Sequence, residues 1–145
     1  MILASSSHPV DHISRPLTLG AIPASPGTAR ASARCLLSEW GLTELAEPVE
    51  LIVTELVTNA VQVSAEHLVP PPVLFRMSAT GRAVLIEVRD RDPRMPVLRQ
   101  PTGSDERGRG LLLVATMSAT WGWTEFKQGK TVWSEVRDSG ASPRG

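Results

Sequence analysis

Four groups of residues have the types and spacing to do chemistry. Glu55 and Asn59 are four apart within VELIVTELVTNAVQVSA, a stretch of helical character, so they share one face, and Gln62 continues their stripe. A carboxylate and a carboxamide one turn apart suit a hard cation that keeps several waters, such as Mg²⁺ on nucleotide phosphates. Asp90 ends the alternating run Val84–Arg89 and opens a long polar loop. A carboxylate there can accept a hydrogen bond from an exocyclic amine such as that of adenine; the plainer role is to start a turn. Gly108-Arg109-Gly110 precedes the apolar run LLLVATM. Two glycines at a helix entry let backbone N–H groups approach an anion, and Arg109 can add a bidentate contact. Thr131, in Gly129-Lys130-Thr131-Val132-Trp133, offers a hydroxyl, although a β-branched residue in a strand is its ordinary reading. The hairpin turn alone explains Gly129.

These residues must be positioned by regular elements, and the pattern of the chain supplies them. Leu17, Leu19 and Ile22 alternate as a short strand. Ser25-Pro26 starts a helix that runs to about Trp40 and stops at Gly41. The helix carrying Glu55 begins near Glu47-Pro48. Its apolar stripe of Val49, Ile52, Leu56 and Ala60, widened by Val53, Val57 and Val61, predicts that most of it is buried. After Pro70-Pro71-Pro72, residues 73–78 and 83–89 read as a hairpin around Thr80-Gly81. Residues 90–108 form a loop, Gly110–Met117 a helix, and residues 120–126 and 131–137 a closing hairpin turned at Gln128-Gly129. This order predicts an α/β (α+β) two-layer sandwich, with a mixed, largely antiparallel sheet and helices on one face. Residues 1–16 are expected to be a flexible segment, 17–137 the folded domain and 138–145 a flexible tail.

Composition sets the outer bounds. A chain of 145 residues, 41% hydrophobic and 21% charged, is long enough for one globular core and too apolar for disorder. The formal net charge of zero argues against direct nucleic-acid binding, so an anionic ligand must be held by local groups. Cys35 is the only cysteine, which excludes an intrachain disulfide and a cysteine-ligated metal. His8, His12 and His67 have no ligand spacing and read as surface residues. No apolar run approaches a membrane span and the first residues are unlike a secretory signal, so a cytoplasmic location without membrane attachment is expected.

Taken together and in order, the motifs resemble the histidine-kinase-like ATPase superfamily with its Bergerat nucleotide-binding fold. ELVTNAV (55–61) looks like the N-box, and VRDRDPRMP (88–96) like the adenine box of stand-alone bacterial anti-sigma-factor kinases. ERGRGLLLV (106–114) looks like the second glycine box, and GKTVW (129–133) is similar to the closing strand. The resemblance covers roughly Leu17 to Arg137. It implies ATP and Mg²⁺ as ligands, with Glu55 orienting or deprotonating the attacking group and Asn59 coordinating Mg²⁺. Asp90 would read the adenine amine, Gly108, Arg109 and Gly110 would meet the phosphates, and Thr131 would support the base pocket. Where the family's N-box usually continues with a basic residue and a histidine, this chain has Gln62 and Val63. The implied activity is serine/threonine protein kinase transfer of the γ-phosphoryl group to an anti-anti-sigma-like antagonist protein. A sigma factor is a further partner and a homodimer a possible assembly. The alternatives are a nucleotide-dependent module that sequesters its partner without significant catalysis, and a plain ATP hydrolase.

Overall fold

The structure, a computed structural model, describes residues 10–94 and 106–138, with residues 106–110 as backbone alone. Strands β1 (His12–Ile13) and β2 (Leu17–Leu19) are followed by helix α1 (Ser25–Glu39), a short 3₁₀ turn (Thr43–Leu45) and helix α2 (Ala46–Ala65). Then come β3 (Val73–Thr80), β4 (Ala83–Asp90), helix α3 (Glu106–Met117), β5 (Thr120–Phe126) and β6 (Gly129–Arg137). The strands form one six-stranded antiparallel sheet in the order β1-β3-β4-β6-β5, with β2 also paired to β3. The expected two-layer sandwich is thus present, and its sheet is antiparallel at every pairing.

Alternation along the central strands decides which residues meet the helices. Phe75 and Met77 of β3, Val84, Ile86 and Val88 of β4, and Val132 and Val136 of β6 lie in the core. Val49, Ile52, Val53, Leu56, Val57, Ala60 and Val61 of α2 are all buried against them, as the stripe required. Helix α2 packs on α1 and α3 as well as on β3, β4 and β6. That central position explains why its apolar face is so wide. Among the described residues no helix is long and apolar enough to cross a membrane.

Two regions differ from the pattern read along the chain. Residues 10–16, expected to be loose, join the domain: β1 pairs with β3, and His12 stacks on Trp40 with ring centroids 5.3 Å apart. Asp11 Oδ2 accepts from the Gly81 N–H at 2.7 Å and so ties this segment to the β3–β4 turn, where Gly81 has φ of 60°. Periodicity could not reveal this, because a two-residue edge strand does not repeat the two-residue alternation. Helix α3 begins at Glu106, four residues before the expected Gly110, so the glycines sit within its first turns. Residues 1–9, 95–105 and 139–145, which include most of the expected loop and tail, lie outside the described residues.

Candidate functional site

The best-defined polar centre lies where β4 ends. Even-numbered residues of β4 face the helices, so Asp90 follows Val84, Ile86 and Val88 onto the core side and is only 2% exposed. Pairing of β4 with β6 sets Asp90 opposite Lys130, which is 4% exposed. Lys130 shares the parity of Val132, Ser134 and Val136, all buried. Its Nζ donates to Asp90 Oδ1 and to the Asp92 carbonyl oxygen, each at 3.0 Å. The Asp92 backbone N–H donates to the same Oδ1 at 2.8 Å. No described residue bonds Asp90 Oδ2. That oxygen is also absent from the fully buried side-chain atoms without a partner, which are Asn59 Nδ2, Ser64 Oγ and Thr80 Oγ1. Asp90 is therefore clamped through one oxygen while the other stays open to an incoming donor. Burial raises the Asp90 pKa, and the Asp92 N–H and Lys130 only partly oppose the rise.

Gly129 makes this arrangement possible. A Cβ at Gly129 would lie 2.1 Å from the Asp90 carbonyl oxygen and 2.8 Å from the Arg91 Cα. The hairpin turn therefore does not account for Gly129. The residue is needed because the Asp90–Arg91 backbone crosses directly over it.

A second cluster holds the loop after Asp90 to the end of α2. Arg94 donates from Nε to Asp92 Oδ1 (2.9 Å), and from one terminal nitrogen to Asp92 Oδ2 (2.6 Å) and Glu66 Oε1 (2.7 Å). His67 Nε2 is 3.1 Å from Asp92 Oδ2. The Arg94 side chain holds the Asp92 carboxyl well below the usual carboxylate range; its backbone N–H and His67 assist, and burial opposes. His67 is thus a fastening of the site and not the plain surface residue expected.

Asn59 is on the α2 face that runs through Gln62 and Val63 to Glu66, two turns and about 10 Å of rise above the Arg94 contact. Its Nδ2 is sealed from solvent without a partner. An unmet buried donor costs about 1–3 kcal/mol, a cost that an acceptor beside Nδ2 would relieve. Glu55 lies one turn earlier and is half-buried. Among the described residues no group of three His, Cys, Asp or Glu could hold a metal.

The phosphate-contact candidates Gly108, Arg109 and Gly110 occupy the third to fifth positions of α3. The first four N–H groups of a helix, from the N-cap through the third helical residue, have no intrahelical acceptor, so that of Gly108 can point at an anion. The Arg109 and Gly110 N–H groups fall within the helical ladder. Thr131 is not brought to Asp90. It is opposite Arg89, whose Nε donates to its Oγ1 at 3.4 Å, on the sheet face away from the helices. Strand alternation puts Lys130 where the hydroxyl of Thr131 was expected. Lys130, Gly129, Asp92, Arg94 and His67 were missed as site residues. Only Lys130 left a sequence signal: a charged residue at the parity of three buried ones.

A family model described as a histidine kinase-like ATPase domain matches residues 20–142. The chain belongs to that family. No curated protein matches the sequence. Among solved structures, this ATPase domain is similar to one containing the RsbU and RsbW domains of Rv1364c from Mycobacterium tuberculosis, with a TM-score of 0.64 and 21% identity. The similarity covers 86% of this chain and 32% of the other, and at that identity it is a likeness of fold. Family membership implies ATP binding.

Proposed function

We propose that this ATPase domain binds ATP with Mg²⁺ and transfers the γ-phosphoryl group to a serine or threonine of an antagonist protein in an anti-sigma-factor circuit. The observation that carries the reading is Asp90: a buried carboxylate, fixed through Oδ1, with Oδ2 left to accept from an exocyclic amine. An acceptor in this position reads adenine's N6–H₂ and repels a carbonyl oxygen. The family match over residues 20–142 supports the nucleotide, and the RsbW-type fold supports the class of partner.

The chemistry divides among a few groups. Asn59 would offer its carboxamide oxygen to the Mg²⁺ carried by the phosphates, and bound Mg²⁺ supplies neutralisation of phosphate charge. The N-terminal N–H of α3 at Gly108 would donate to phosphate oxygens, and the Arg109 guanidinium would add a charged contact. Glu55, one turn from Asn59, cannot hold phosphate because like charges repel. Its useful role is to orient the attacking hydroxyl or accept its proton. Phosphoryl transfer needs mainly positioning and charge neutralisation, so few reactive side chains suffice.

The test is Glu55→Ala, read by nucleotide calorimetry beside single-turnover transfer to a cognate partner isolated from the native cell. ATP affinity should be unchanged or slightly improved, while transfer falls by about 10²–10⁴-fold. If affinity and transfer fall together, Glu55 is a binding or structural residue. If wild-type protein binds ATP but phosphorylates no isolated partner, the chain is a sequestering module and the kinase reading fails. Release of free phosphate alone makes it a hydrolase.

A further inference from the structure

Lys130 is one of only two lysines in the chain, and it is buried at the point where the nucleotide base would be read. A lysine ammonium has three N–H donors. Two are used, on Asp90 Oδ1 and on the Asp92 carbonyl, and the third has no acceptor among the described residues. Beside it, Asp90 Oδ2 has no donor among the described residues. The clamp thus presents two neighbouring unsatisfied functions, an acceptor from Asp90 and a donor from Lys130. Both lie in a setting where burial strengthens electrostatic contacts. Adenine carries the complementary pair on one edge: the N6 amine donates and the adjacent ring nitrogen N1 accepts.

We propose that Lys130 is a second base-reading group, donating directly to adenine N1 while Asp90 Oδ2 accepts from the N6 amine. This rests on the nucleotide reading above and goes further by assigning the specificity to an acceptor–donor pair. In the same orientation, guanine would turn its O6 toward the carboxylate and its N1–H toward the ammonium. Both contacts then become repulsive or empty, so the pair selects adenine by rejecting guanine as well as by fitting adenine. The ion pair also fixes the direction of Oδ2, because Oδ1 cannot leave Lys130 without stranding a buried charge.

The experiment compares ATP with 1-deaza-ATP, in which a C–H replaces N1 and every other contact is kept. Calorimetry on wild-type protein should show 1-deaza-ATP binding about tenfold to a hundredfold more weakly, the range for one hydrogen bond to a charged group. In Lys130→Met, ATP should weaken by a similar factor and the difference between the two nucleotides should disappear. GTP should bind wild type more weakly than ATP. Lys130→Gln keeps a neutral donor and should retain a smaller penalty for 1-deaza-ATP. It serves as the second variant if Lys130→Met does not fold, as judged by circular dichroism. Equal binding of ATP and 1-deaza-ATP by wild type overturns the assignment while leaving ATP binding in place. A deaza penalty that persists unchanged in Lys130→Met, or tighter binding of GTP than ATP, also overturns it. Failure of wild type to bind any adenine nucleotide refutes the nucleotide reading itself.

Discussion

Replacing Gly129 by alanine should damage both the fold and the site, through a single added methyl group. The new Cβ would stand 2.1 Å from the Asp90 carbonyl oxygen, 2.8 Å from the Arg91 Cα and 3.0 Å from the Asp90 carbonyl carbon. Ordinary van der Waals contact begins near 3.4 Å, so backbone must move by more than 1 Å. All three obstructing atoms are backbone, and no side chain can swing aside to absorb the change. Overpacking of this kind costs about 1–3 kcal/mol, and a rigid backbone contact belongs at the upper end. For a domain of this size each kcal/mol lowers Tm by roughly 3–4 °C, so a fall of about 10 °C is expected. The same displacement pulls the end of β4 from β6 and breaks the Asp90–Lys130 register, so ATP affinity should fall at least tenfold. Thermal melting and calorimetry with a non-hydrolysable ATP analogue read the two effects. The control is Gly27→Ala in the first turn of α1, where a Cβ meets nothing within 4 Å. That substitution should raise stability by about 0.4–1 kcal/mol through the unfolded chain. If Gly129→Ala melts and binds like wild type, the close approach of the two backbones is refuted, and with it the basis of the site.

Asp90→Asn should keep the fold, because the amide oxygen can still accept from Lys130 and the Asp92 N–H. It should lose about tenfold to a hundredfold in ATP affinity, read by calorimetry, since a carboxamide can turn a donor toward the adenine amine. Asn59→Ala should remove the tightening of ATP binding by Mg²⁺; a titration in which Mg²⁺ still tightens the variant's binding would show that Asn59 is not a metal contact. Asp92, whose folded pKa lies below its ordinary value, contributes stability that is present above the unfolded carboxylate range and is lost as pH falls through and below about 4. Urea unfolding across pH 2–7 should show that acid-side loss, and Asp92→Asn should flatten it; an unchanged profile in the variant would remove Asp92 from the account.

By itself, the sequence determined what depends on neighbours along the chain. The stripe of Val49, Ile52, Val53, Leu56, Val57, Ala60 and Val61 required a helix buried on a broad face, and that is α2. The alternation of residues 83–89 required a strand, and the break at Asp90 put a carboxylate at its end. Motif order along the chain gave the family, which the match over residues 20–142 establishes. The tertiary structure alone decided what depends on partners distant in sequence. Lys130 meets Asp90 across forty residues because the β4–β6 register is set by the fit of the two strands' inward residues against α2, which one strand's own pattern does not specify. A shift of one residue would have put Thr131 at the carboxylate and turned Lys130 away from the helices. Gly129 looks like any hairpin glycine until the Asp90 backbone is laid over it. His67 meets Asp92, and Arg94 meets Glu66, because the end of α2 returns to the end of β4. Periodicity reports which way a side chain points, whereas the identity of the group it meets follows only from how the elements pack.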